Sequence, residues 1–231
     1  EIQYEYAPKL SAAGIDCRRD RFEWVPALHT FLGGIFINEL CESGVSGLFA
    51  SGESSTGMHG SNRLSGNAIA SCMVLGARSG KSATLFASAH DFADVIESEV
   101  SDELKRIESF HGDGGLDPYD IEREIKNLAW KSAGVVRNEA GLLSGVAGFE
   151  TIRRERMPLV KGKDQRSWTK ALECANLAWV GEMVTRSALE RRESRGQHYR
   201  DDYPAKEESI PKWIRVSKSG DNVHCKAETI P

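Results

Sequence analysis

With 231 residues, 40% of them hydrophobic, the chain has enough apolar material for one large or two small domains with a real core. Its 30 basic and 34 acidic side chains are mixed along the chain and leave a net charge of -4, so no basic field favours nucleic acid or an anionic membrane surface. The longest apolar stretch, Ala68 to Ala77, is broken by Ser71 and Gly76 and falls far short of the ~20 residues of a membrane span, so no direct span is expected.

The five cysteines, Cys17, Cys41, Cys72, Cys174 and Cys225, are irregularly spaced and form no CxxC pair. That pattern fits reduced thiols in a cytoplasmic protein, and it predicts no zinc or iron-sulfur site in this chain. The chain opens on Glu1 instead of Met, and Glu1 to Tyr6 is too charged for a secretory leader, so a fragment of a longer protein is expected.

Two short buried strands are predicted first, Gly33 to Ile37 and Gly47 to Ala50, separated by turn residues from Cys41 to Ser46. A helix follows, starting near Asn67 and ending near Ala77 to Gly80. Gly76 to Ser82 imitates a phosphate-binding loop but has three residues between its glycines where that loop needs four; it reads as a helix C-terminus.

From Ser82 the pattern becomes helical through Phe110 and breaks at His111 to Gly115. Three more helices are predicted: after Asp117-Pro118 to about Lys131, from Asn138 to Arg156, and from about Ser167 to Arg192. Lys212 to Val216 and Asn222 to Lys226 flank Ser219-Gly220-Asp221, a hairpin signal. Glu193 to Pro204 is dense in alternating charge and reads as a solvated or interdomain ion-pair segment with a structural role.

The region with chemistry in it is Gly47 to Ile69. A strand leads into a glycine-dense loop, which lets backbone approach a ligand, and the loop delivers a helix N-terminus. Such a terminus carries unpaired N–H groups and a partial positive charge, suited to negative charge on a bound ligand. Arg63, a few residues earlier, can make a forked contact to a carboxylate. His59 can satisfy backbone groups of its own tight loop and is given no catalytic role.

Four ordered motifs carry a resemblance. They are His29-Thr30-Phe31-Leu32-Gly33-Gly34, the strand end Ala50-Ser51-Gly52-Glu53, the run His59-Gly60-Ser61-Asn62-Arg63-Leu64-Ser65-Gly66-Asn67, and Glu193-Ser194-Arg195-Gly196-Gln197-His198 through Pro204. In these the chain resembles the succinate dehydrogenase and fumarate reductase flavoproteins, a family that also includes L-aspartate oxidase. The resemblance implies FAD as cofactor, with Glu53, Asn67, Ala68 and Ile69 contacting the flavin. It also implies that His29 and Arg63 hold the carboxylates of a dicarboxylate substrate, and that an iron-sulfur subunit is the partner. Location would be cytoplasmic, or peripheral on the inner membrane face through that partner.

The matching region is the C-terminal part of the family pattern. No GxGxxG motif for the FAD pyrophosphate occurs here. The histidine that some members join covalently to flavin, and the capping domain with its proton-donating arginine, would also lie upstream. No catalytic residue is therefore assigned within this chain, and the isolated chain is expected to bind FAD poorly and to be inactive.

The resulting fold class is α+β, mostly α: residues 1–82 as the C-terminal strands and helix of an FAD-binding domain, and 83–231 as a helical bundle domain with a small β tail. The expected reaction is interconversion of succinate and fumarate by hydride transfer to or from flavin N5. The rivals are an L-aspartate oxidase-like or adenylylsulfate reductase-like flavoprotein, and a non-catalytic interaction fragment that lacks the FAD half.

Overall fold

The computed structural model describes residues 7–16, 19–21, 28–208 and 212–229. The chain divides into two compact units, Glu1–Thr30 and Phe31–Pro231. In the first, the described residues form one short helix, α1 (Ala7–Ala12), with no buried residue. Cys17 lies outside the described residues; Cys41, Cys72, Cys174 and Cys225 are free thiols.

The second unit opens in irregular chain. The segments expected as buried strands are instead largely exposed and pair only through single bridges, Ile35 with Ser55 and Glu42 with Phe49. A strand is defined by its ladder, and neither segment finds more than one rung among the described residues. Apolar composition made them look like strands, but pairing decides the matter.

Helix α2 runs from Asn67 to Ala89, well past the predicted stop. Gly76 and Gly80 sit inside it with ordinary helical backbone, so neither acts as a left-handed cap. The amides of Gly76 to Ser82 thus belong to a helix interior, which removes any phosphate cradle there. Helix α3 (Glu97–Glu108) carries Glu97 and Glu99 in its first turn and Lys105 and Arg106 in its last, the order favoured by the helix dipole.

The core is built by three helices whose starts are fixed locally. Asp117 accepts from the Tyr119 amide at 2.8 Å and Pro118 opens α4 (Pro118–Ala133). Asn138 accepts from the Gly141 amide at 2.8 Å at the head of α5 (Glu139–Thr151). Asp164 and Ser167 form a reciprocal capping box at the head of α6 (Gln165–Glu190). Helix α5 ends in a π turn over Ile152–Arg156, and Pro158 closes a short turn after it.

Phe110, Ile121, Ile125, Phe149, Ile152 and Met157 are among the residues that fill the centre, against Ala171, Cys174 and Ala178 of α6. The helices approach closely because glycine leaves room: a Cβ on Gly181 would lie 2.3 Å from the Phe149 ring. The buried stripe of α6 continues through Glu182 and Thr185, both fully inaccessible.

Strands β1 (Lys212–Ser219) and β2 (Asn222–Thr229) pair antiparallel around Gly220, as the turn signal predicted. The tip is bound to the π turn, Arg153 Nη1 donating to Asp221 at 2.6 Å. Near the base, Trp213 meets the Phe36 ring edge-on at 5.4 Å. The hairpin thus joins the helical core to the irregular opening segment. Among the described residues the architecture is mostly helical with one small two-stranded sheet, as expected. No described helix is long and apolar enough to cross a membrane.

Candidate functional site

The loop from Gly57 to Gly66 is bent by three left-handed glycines, at Gly57, Gly60 and Gly66. Gly66 is the residue that launches α2; with φ 82° it turns the chain into the helix and supplies no side-chain cap. No acidic residue occupies the first turn. A helix of 23 residues therefore begins with no side-chain cap and an uncompensated positive end: the Asn67 amide donates back to the Leu64 carbonyl at 3.1 Å, which leaves the amides of Ala68 and Ile69 as its uncapped donors.

Arg63 sits half-buried in this loop, three residues before the helix cap. The loop start is tied to the helix through His59. Ser71 Oγ donates to the Ala68 carbonyl at 2.8 Å, so at 3.4 Å it accepts from His59 Nε2. His59 Nδ1 is buried with no hydrogen-bond partner among the described residues. The preceding turn, Gly52–Ser54, packs on the same helix: a Cβ on Gly52 would lie 3.1 Å from Cys72 Sγ.

Glu53 is exposed, and its Oε1 accepts from the Phe31 amide at 2.8 Å. This carboxylate fixes the chain just after the Thr30 boundary, a tether the sequence did not reveal. His29 lies in the first unit, exposed and outside regular structure. The second unit alone brings together Arg63, the uncapped amides and the Glu53 turn. A donor-rich, positive helix end beside an arginine suits both the electron-rich edge of a flavin and a carboxylate, so these residues fit the expected cofactor.

The fourth motif is an ion-pair segment that is solvated at Gly196, Gln197, Asp201 and Asp202 but pinned by two buried charges. Arg200 and Glu193 are 1% and 4% exposed. Arg200 holds Asp202 through two bonds of 2.7 and 2.6 Å and donates to the Ala188 and Leu189 carbonyls at the end of α6. Burial would raise the Glu193 carboxyl, but bonds from Arg195, the Glu207 amide and Arg191 outweigh it and hold the pKa at about 2. The Arg200 guanidinium likewise holds Asp202 at about 2.

His198 sits at the centre of this knot. Its Nε2 donates to the Arg191 carbonyl at 3.2 Å, and its Nδ1 accepts from Arg137 Nη1 at 2.8 Å. Burial and the Arg137 charge push its pKa down from 6.5 to about 4. The folded protein thus binds the proton less readily than the unfolded chain. The contribution of a neutral His198 is complete above about pH 6.5 and is lost as pH falls toward 4. Urea unfolding at stepped pH is expected to show stability declining across that window, with His198→Gln flattening the slope; a slope unchanged by the substitution would remove His198 from the account.

The sequence did not reveal where this motif goes. Gly196 and Gln197 lie against Ser61 and Asn62, directly beside Arg63. A glycine inside a charge-dense segment was the available signal.

Comparison with known proteins places the chain among flavoproteins. Residues 122–229 match the model described as fumarate reductase flavoprotein C-term, and residues 4–69 match an FAD binding domain model. One chain of the CoM/CoB fumarate reductase of Methanothermobacter marburgensis is 37% identical over 87% of this chain and 37% of its own length. The L-aspartate oxidase of Acinetobacter baylyi is 31% identical over 89% of this chain and 37% of its own length. The apo Sdh1 complex of Mycobacterium smegmatis contains a chain that superposes with a TM-score of 0.84 at 30% identity, covering 99% of this chain and 41% of that one. The chain spans little more than a third of the length of the curated relatives it matches.

Proposed function

The chain belongs to the succinate dehydrogenase and fumarate reductase flavoprotein family, and from that premise we propose that it carries the dicarboxylate-holding side of an FAD-dependent oxidoreductase that interconverts succinate and fumarate. The observation that carries this reading is Arg63 on a braced loop immediately before the uncapped N-terminus of α2.

In this reading His29 and Arg63 hold the two carboxylates, and Glu53, Asn67 and the α2 amides of Ala68 and Ile69 face the flavin. When bound, FAD supplies the hydride acceptor or donor at N5. Arg63 fixes the angle of one carboxylate by a forked contact, so that the C2–C3 bond of the substrate lies in one orientation. The uncapped amides stabilise negative charge at the helix end without reorganising. The proton-donating arginine is expected outside this chain.

The proposal keeps residues 1–82 as the closing part of an FAD-binding domain and 83–231 as the helical domain; the matching family models fall on either side of that division. Ile69, Met73 and Val74 on α2 are 73%, 70% and 59% exposed, an apolar face suited to the remainder of an FAD-binding domain. An iron-sulfur protein as electron partner and a cytoplasmic position complete it.

A second reading, oxidation of L-aspartate, has support from the aspartate oxidase relative, because the same clamp would hold an amino dicarboxylate. The full-length flavoprotein, mixed anaerobically with succinate or with L-aspartate, decides between them. Bleaching of the flavin by succinate, and its recolouring by fumarate, is the expected result; bleaching by aspartate alone establishes the second reading, and no response to either dicarboxylate removes both.

A further inference from the structure

The loop that carries Arg63 is braced from a distant segment of the chain. Arg195 and His198 exchange backbone hydrogen bonds of 2.8 and 3.0 Å, closing a tight turn whose two central residues are Gly196 and Gln197. Gly196 has φ 58°, in the left-handed region that disfavours any side chain. A Cβ there would also lie 2.3 Å from the Ser61 carbonyl oxygen and 2.7 Å from its hydroxyl. Two independent constraints, conformation and space, thus require glycine at this point.

The contact is bonded as well as close. The Gln197 amide donates to the Ser61 carbonyl at 2.9 Å, and Gln197 Nε2 donates to Asn62 Oδ1 at 3.0 Å. Both acceptors belong to the two residues before Arg63. The turn itself is anchored, by Glu193 receiving Arg195 Nε at 3.0 Å and Arg191 Nη1 at 2.7 Å, and by His198 receiving Arg137. The helical domain therefore fixes the backbone from which the Arg63 side chain departs.

We propose that Gly196 and Gln197 are positioning residues for the dicarboxylate site, setting the direction of Arg63 without touching substrate. The inference rests on the proposed role of Arg63. A forked arginine contact is worth its full energy only over a narrow range of angles, and a loop with three left-handed glycines has no rigidity of its own. Holding the Ser61 carbonyl and the Asn62 side chain from a turn anchored on the buried Glu193 supplies that rigidity.

The test uses the full-length flavoprotein and malonate, a dicarboxylate whose single methylene leaves no CH2–CH2 bond to dehydrogenate. Gln197→Ala is expected to weaken malonate binding about tenfold, the loss of a bond of this class plus some freedom of Arg63. Flavin content and melting temperature should stay at the wild-type values. Gly196→Ala is expected to weaken binding further, with Gln197→Ala as the milder variant should the first disturb folding. The decisive comparison is a double-mutant cycle: in an Arg63→Lys background, Gln197→Ala should add little, because its effect passes through the arginine. An effect of equal size in both backgrounds, or unchanged malonate binding, overturns the inference. If the wild-type protein binds no malonate, the proposed dicarboxylate site fails first and the inference falls with it.

Discussion

Arg153→Ala is expected to lower the unfolding free energy by about 3–5 kcal/mol, read as a shift of the denaturant midpoint at constant slope. The side chain of Arg153 is 6% exposed, and its Nε lies 2.9 Å from Glu182, whose own side chain is 0% exposed. The guanidinium also bonds Asp221 at 2.6 Å and stacks 3.8 Å from the centre of the Trp179 ring. Removing it leaves a wholly buried carboxylate with one ion-pair partner among the described residues, Arg186 at 2.8 Å, and unfastens the tip of the hairpin. The cost comes from the stranded charge, which water cannot reach, more than from the lost attraction.

Removing both partners is the control. Replacing them by apolar residues of similar size, Arg153→Met with Glu182→Leu, takes the charges away together and should recover most of the loss. If the double variant is as unstable as the single one, the penalty lies in packing around the π turn and not in a stranded carboxylate. If Arg153→Ala unfolds within about 1 kcal/mol of the wild type, the buried pair has no energetic role of the size argued.

The parts of the fold that were legible in sequence are those decided by neighbours in the chain. Asp117-Pro118 and Asn138 cap their helices through bonds spanning two or three residues, so the local sequence could place them. Gly220 makes the hairpin turn for the same reason. The parts that were not legible depend on partners far away. Gly76 and Gly80 looked like a helix stop, yet α2 passes through both to Ala89, because the cost of about 1 kcal/mol for a helical glycine is small beside a helix of that length.

Charge-dense Glu193 to Pro204 is the clearest case for the site. Alternating charge describes a solvated face and a self-satisfied buried knot equally well; only the mutual placement of Arg200, Asp202, Glu193 and Arg195 separates them. The same holds for Glu182 within α6, which periodicity could not mark as buried because its partner Arg153 lies on another element. Arg63 and the α2 N-terminus were legible, since a glycine-rich loop before a helix is a local pattern. That the loop is braced by Gly196 was not, because no local pattern connects positions so distant in sequence.

Arg63→Ala should have the largest effect on activity. In the full-length flavoprotein, kcat/KM for succinate or fumarate is expected to fall about 30- to 5000-fold, the range for truncating one member of a desolvated, hydrogen-bonded charge pair. The position argues for the upper part of that range. The residue is half-buried, its loop is tied to α2 through His59 and Ser71, and Ser61 and Asn62 beside it are held by Gln197. A side chain launched from so fixed a backbone can spend its binding energy on geometry, so its loss should appear in kcat as well as in KM. Arg63→Lys keeps the charge but not the planar fork, and should restore only part of the rate. Flavin content is the control, since the α2 amides assigned to the flavin are backbone groups and remain in both variants. Full turnover of a dicarboxylate by Arg63→Ala, with flavin retained, would take the substrate clamp away from this loop.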